Sequence, residues 1–196
     1  MFIDTIPEEA AAGPVADYYR QQHDAWGFLP NYALVFSSRV DVAQAWNTLN
    51  QAIRGGMNRR LFELATIAAA RALHSTYCTA AHSKFLRDVC HDETTLYRIA
   101  DDPTGAGLSP RDRAVFDFAA KVAVAAAAIQ QVDIDQLHAH GLSDLDITNV
   151  VFAAAARCFF TRVLDGLGAE LDIETAETFS PTLLESMVVG RPVATA

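Results

Sequence analysis

The chain has 196 residues, 51% of them apolar, and a net charge of −9. This length and apolar content suit one folded domain with a buried core rather than a disordered chain. The acidic balance, with no basic stripe interleaved with aromatics, excludes nucleic acid and anionic membrane surfaces as partners.

From the N-terminus, Met1 to Glu9 has neither a basic region nor an apolar run, so no signal peptide is expected and a cytoplasmic setting follows. Thr5 with Glu8, around Pro7, reads as a capping box. Trp26-Gly27-Phe28-Leu29-Pro30-Asn31 reads as a loop with aromatic anchors that leads into a short helix. Ser38 with Asp41 is a weaker start signal. Gly55-Gly56, Gly105 to Gly107, Gly141 and Gly166 to Gly168 punctuate the chain. Ser109-Pro110-Arg111-Asp112 is a strong helix start, with Ser at the cap, Pro at the first position and an acid at the third. Behind it Val115, Phe118, Val122, Ala125 and Ile129 recur at three and four, marking a core face. Asp133 with Gln136 and Ser143 with Asp146 announce two more helices.

No alternating strand pattern is found, and Ala, Leu and Val dominate the periodic segments. The expected fold is all-α, with roughly eight helices of about 9–18 residues. The apolar stretches 114–129 and 150–160 are interrupted by charge or too short to span a bilayer. A faint repeat appears at a shift of 86, where Ala68-Ala69-Ala70-Arg71 falls on Ala154-Ala155-Ala156-Arg157 and Gly55 on Gly141. It suggests two related helical halves, 53–90 and 139–170, within a single domain of 1–196. Pro181 and Pro192 limit regular helix in the tail from 172 onward, which is expected to pack on a neighbouring subunit.

Chemistry concentrates between Glu63 and His82. Glu63 sits inside an apolar helix, where a carboxyl tends to have a raised pKa and to move protons. Ser75 is placed to cap the next helix, which puts Cys78 at its third position, where a helix N-terminus favours a thiolate. His82, four residues on, shares the face of Cys78 and could take or return its proton. The plain alternatives are a core thiol, a chance histidine, and a glutamate that pairs with Arg71 or Arg157. Cys90 and Cys158 read as core thiols, and the three cysteines are too few and too odd a set for a secreted disulfide framework. His74, Cys78 and His82 lack the further ligands a zinc site needs, so no metal is expected.

The same segment resembles the carboxymuconolactone decarboxylase superfamily, in its AhpD-like, peroxidase-related branch. That family's signature is a Glu, a Cys-x-x-Cys beginning twelve residues later, and a His four after the second Cys. Here Glu63 is followed at +12 by Ser75, at +15 by Cys78 and at +19 by His82. Gly27-Phe28-Leu29-Pro30-Asn31, the Leu-Ser-Pro segment at Ser109 and the Gly-Leu-Ser segment at Gly141 extend the likeness over residues 20–170. The resemblance implies an AhpD-like bundle of related halves, assembled as a homo-oligomer (dimer, trimer or hexamer). It also implies hydroperoxide reduction by Cys78 with Glu63 and His82 as proton relay, without metal or organic cofactor. Tyr77 takes a slot where AhpD has a His, and Ser75 and Tyr77 are assigned to substrate binding.

One departure matters, because Ser75 stands where the first Cys belongs and cannot form a disulfide. A sulfenic acid on Cys78 would need another thiol to resolve it. Cys90 lies about 18 Å away if one helix spans both, at 1.5 Å per residue. An external low-molecular-weight thiol is the simpler reductant. Three readings follow: a one-Cys peroxidase acting on small-molecule peroxides, a lactone decarboxylase that uses polar residues of the same pocket, and a non-catalytic helical protein.

Overall fold

The computed structural model describes residues 1–102 and 104–195. Among them are eleven α-helices: α1 (Pro14–Trp26), α2 (Asn31–Val35), α3 (Val40–Gly55), α4 (Arg59–Ala72), α5 (Thr76–Asp88), α6 (Glu93–Asp101), α7 (Pro110–Ala125), α8 (Gln131–Ala139), α9 (Asp144–Leu167), α10 (Ile173–Ala176) and α11 (Pro181–Met187). The described residues hold no strand beyond one isolated parallel bridge, Leu171 with Val193. The all-α fold is as expected, but the helix number is not eight. Periodicity needs more than one turn to register, and α2, α10 and α11 have five, four and seven residues.

The core forms around α4, which packs against α5, α7 and α9. Every residue from Leu61 to Ala70 is buried. Alanines at 65, 68, 69 and 70 favour the helix and let neighbours approach closely. Phe62, Leu64 and Ile67 fill the gaps between helices, each worth roughly 1.5–3 kcal/mol on burial. Asn58 caps α4, its side chain accepting from the Leu61 amide at 3.1 Å. Arg60 ties this helix to its neighbours by bonding Asp112 at 2.8 and 2.9 Å and Thr95 at 3.0 Å.

Some start signals hold and others shift. Ser109 accepts from the Asp112 amide, and Ser143 with Asp146 forms a full capping box at α9. At α8 the cap is Gln130, and Asp133 is its partner at the third position. Thr5 caps nothing, since Glu8–Ala10 is one 3₁₀ turn and the first α-helix waits for Pro14. Arg39, with no side-chain cap bond, precedes α3 in place of Ser38.

Residues 150–160 lie within the 24-residue α9, which is long and apolar enough by itself to cross a membrane, contrary to the length judged from that stretch. More than half of its most apolar window, 56%, is buried inside the bundle. The 86-residue shift lays α4 on the first part of α9, yet the chain breaks after Ala72 where α9 runs on to Leu167, so the element boundaries do not repeat. The tail packs on its own chain. Leu183 and Met187 are buried, Arg71 donates to the Ser186 carbonyl at 3.0 Å, and the Val189 and Gly190 amides donate to Thr76 Oγ1 at 3.2 and 3.0 Å. A Cβ on Gly190 would stand 1.8 Å from the His74 carbonyl oxygen, so only glycine fits that contact.

Candidate functional site

The turn between α4 and α5 places the chemistry. His74 takes a left-handed φ of 57°, and the His74 and Ser75 amides donate back to Arg71 and Ala70 at 3.0 and 2.9 Å. This ends α4 abruptly and turns the chain so that α5 runs beside it. Cys78 and His82, one turn apart on α5, then share a cavity with Glu63 on α4.

The cavity has a volume of about 470 Å³, within the usual span for small-molecule sites. α1 contributes Tyr18 and Trp26, α3 contributes Trp46 and Asn50, and α9 contributes Arg157 and Phe160. Tyr77 forms part of the wall, and its hydroxyl is fixed by donation to Asp172. Asp172 also accepts from the Asn31 amide at 2.6 Å. Burial and this carboxylate push the Tyr77 hydroxyl well above its ordinary pKa. Ser75 does not reach the cavity. It precedes α5 but makes no cap bond, and its buried hydroxyl has no hydrogen-bond partner among the described residues. It lies behind the thiol, close enough to act on both Cys78 and Asp165.

The polar floor is a chain of bonds. Arg59, four residues before Glu63, donates to one carboxylate oxygen. His82 Nδ1 meets the other at 2.6 Å. On its far side His82 Nε2 meets Arg157 Nη1 at 3.0 Å, and Arg157 Nη2 donates to Asn50 Oδ1 at 2.8 Å. Because a guanidinium only donates, Nε2 is the acceptor and the proton sits on Nδ1, donated to Glu63. Burial strips water from the imidazolium and lowers the His82 pKa, so the ring is neutral. Burial alone would raise Glu63, but His82 and Arg59 outweigh it and hold the carboxyl below its ordinary range. The raised value expected for a lone buried carboxyl is therefore corrected: Glu63 is a pinned carboxylate.

Cys78 stands beside this chain and is not a link in it. Among the described residues its sulfur makes no hydrogen bond to His82. The groups that favour its thiolate are the Arg157 guanidinium and the Ser75 hydroxyl, and burial outweighs both, pushing the thiol up to about 11. Arg157 is 3% exposed, its guanidinium centre lies 4.8 Å from the Trp46 ring and 5.5 Å from the Phe160 ring, and its Nε has no partner. Among the described residues no carboxylate bonds it. A buried cation of this kind is costly unless an anion comes to it.

Sequence reasoning named Arg157 only as a partner for Glu63, together with Arg71. Arg71 instead serves the tail, and Arg157 meets Glu63 through His82. The true partner, Arg59, carries a plain signal, the i,i+4 spacing to Glu63 on one helix. Asn50 and Trp46 carry no such signal, because only tertiary packing brings α3 to the site. Cys90 lies beyond the end of α5, and the Cys158 thiol turns to backbone carbonyls of Ala123 and Ala154, both at 3.6 Å. All three cysteines are free. Among the described residues no three His, Cys, Asp or Glu side chains gather to hold a metal ion.

The model of the carboxymuconolactone decarboxylase family matches residues 41–119, which include Glu63, Cys78 and His82 but end before Arg157. No curated protein sequence matches significantly. Among solved structures, an uncharacterized peroxidase-related protein from Ralstonia eutropha JMP134, described as an alkylhydroperoxidase AhpD core, is 25% identical. The likeness covers 89% of this chain and 93% of that one, with a TM-score of 0.78. A peroxidase-related protein from Silicibacter sp. TM1040 is 22% identical over 89% of this chain and 91% of its own, with a TM-score of 0.73. The debrominase Bmp8, as a cysteine-to-alanine variant in complex with 2,3,4-tribromopyrrole, shares the fold at 18% identity over 93% and 96% of the two chains, with a TM-score of 0.75. Fold, family model and motif point the same way: the chain is similar to the carboxymuconolactone decarboxylase family over residues 41–119 and shares its fold with AhpD-like, peroxidase-related structures.

Proposed function

We propose that the chain is a one-Cys oxidoreductase that reduces organic hydroperoxides at Cys78 and is recycled by an external thiol. The observation that carries this reading is the placement of Cys78 in a cavity of about 470 Å³ beside a buried arginine to which, among the described residues, no carboxylate is bonded. The space far exceeds hydrogen peroxide, and its aromatic walls suit an organic body. The distal peroxide oxygen accepts from Arg157, which frees His82 Nε2 to take the thiol proton. Sulfur attacks that oxygen, the O–O bond breaks, and the leaving alkoxide takes the proton from His82 to become an alcohol. Glu63 steadies the transient imidazolium. The sulfenic acid condenses with one thiol, releasing water, and a second thiol displaces Cys78 as a disulfide leaves. With Ser75 in place of a resolving cysteine, these two thiols come from outside the chain.

In the same reading the protein is a cytoplasmic homo-oligomer. Leu145, Phe152 and Phe159 stand exposed at seven-residue spacing on α9, an apolar stripe suited to cover by a second copy. Light scattering tests this assembly. Cumene hydroperoxide consumption with glutathione tests the chemistry. Activity should vanish in Cys78→Ser, and equal rates in variant and wild type would overturn the proposal.

The raised thiol pKa favours a second reading, in which the thiol stays protonated and Arg157, His82 and Glu63 act on a lactone without redox change. Turnover of a lactone by fully alkylated protein would select it.

A further inference from the structure

The charges and rings around the cavity define a substrate class. Three arginines line it, Arg54, Arg59 and Arg157, against one carboxylate, Glu63, in a chain whose net charge is −9. Both oxygens of Glu63 are already taken by Arg59 and His82. The cavity is therefore electropositive inside an acidic protein. Beyond about 8 Å at physiological salt the surrounding negative surface is screened, so the local arginines decide what enters.

The arginines are layered. Arg157 lies at the buried end beside Cys78. Arg54, partly exposed on α3, makes no hydrogen bond or ion pair among the described residues, and the terminal nitrogens of Arg59 likewise have none there. Arg59 is itself stacked over the Phe85 ring, 5.3 Å from its centroid. Both tryptophans of the chain line the same cavity, Trp46 packed on the Arg157 guanidinium at 4.8 Å and stacked on Phe160 at 4.9 Å, and Trp26 against Phe85, the ring under Arg59, at 5.4 Å.

We infer that the cavity takes an aromatic substrate bearing an acidic group. The rings lie against Trp26 and Trp46, the carboxylate or phenolate is received by Arg54 and the free edge of Arg59, and the group to be reduced reaches Cys78 and Arg157. Aromatic walls supply area and flat-ring preference, and a guanidinium edge supplies the paired donors a carboxylate accepts. The last of these placements rests on the proposed thiol chemistry, whereas the first two do not.

Binding is measured by calorimetry on Cys78→Ser protein, with tryptophan fluorescence reporting where the ligand sits. The probes are 2-naphthoate, its neutral amide, and the saturated decalin carboxylate of the same outline. Naphthoate should bind at least about tenfold tighter than either analogue, since a charge-assisted pair is worth more than a neutral one. It should quench the tryptophans and weaken with salt. Arg54→Gln should lose about three- to tenfold for naphthoate and nothing for the amide. An amide that binds as tightly as the acid, or a decalin acid that binds as tightly as the aromatic one, overturns the inference. Turnover separates the two proposals. A preference for 4-carboxycumene hydroperoxide over cumene hydroperoxide supports both. Reduction of both without preference overturns the substrate class alone. Selective naphthoate binding with no peroxide reduction overturns the peroxidase reading alone.

Discussion

Replacing Arg157 with Met is the sharpest test of how the site treats its thiol. In the wild type, burial raises Cys78 to about 11 while Arg157 opposes that rise. An opposite charge close to an ionising group moves its pKa by about one to three units. Arg157→Met should therefore lift the thiol further and cut the thiolate fraction at any pH below its pKa by at least about tenfold. Met keeps the aliphatic volume between Trp46 and Phe160. It leaves His82 Nε2 and Asn50 Oδ1 without donors, about 1–3 kcal/mol each, offset by relief of a buried cation, so the variant should fold. The assay is iodoacetamide alkylation of Cys78 from pH 7 to pH 10, read by peptide mass spectrometry to separate it from Cys90 and Cys158. The wild-type rate should climb about tenfold per pH unit without a plateau, in keeping with a thiol that titrates near 11. Arg157→Lys should fall between the two. A wild-type plateau below pH 9, or superimposable profiles for wild type and Arg157→Met, would refute the reasoning.

Four further outcomes rest on the same geometry. The folded Cys78 keeps a proton that the unfolded chain has lost, so its contribution is full below pH 9 and declines as pH rises to about 11, a loss of about 3 kcal/mol in all. Urea midpoints across this range should fall more steeply in wild type than in Cys78→Ala, and parallel curves would contradict it. On the acid side, neutral His82 and ionised Glu63 both have lowered pKa values, so stability should decline below pH 6.5 as the unfolded histidine binds protons, and further below 4.5. Glu63→Gln strips Arg59 and His82 of their shared carboxylate and should cost about 3–5 kcal/mol in chemical denaturation; a loss under 1 kcal/mol would mean the pair is replaceable. Gly190→Ala cannot keep the approach to His74 and should release the tail, seen as faster exchange of the Val189 amide and a loss of about 1–3 kcal/mol.

Much of the site was legible because it is local. Glu63, Cys78 and His82 lie within two helices joined by a short turn, and their spacing alone sets which faces meet. The thiol's actual environment was not legible. Arg157 sits 75 residues from His82, and nothing in a stretch of alanines announces that its arginine points inward. The ionisation of Glu63 is hidden from the sequence for a related reason. An apolar neighbourhood in sequence implies desolvation, but Arg59 is a neighbour in the helix that a hydrophobic reading passes over. The fold class was set by periodicity, whereas single-turn helices such as α10 exist only because tertiary contacts hold them.

The seat of the tail has a mechanical consequence. Thr76, the first residue of α5, is gripped by the Val189 and Gly190 amides, and Asp172 at the start of the tail holds Tyr77 and the Asn31 amide. Two successive residues just ahead of Cys78 are thus clamped by chain more than 90 positions downstream. Residues 172–195 act as a keystone for the reactive thiol: a protease cut in this segment, with every cavity-lining residue intact, would loosen the base of α5 and change the reactivity of Cys78 from behind.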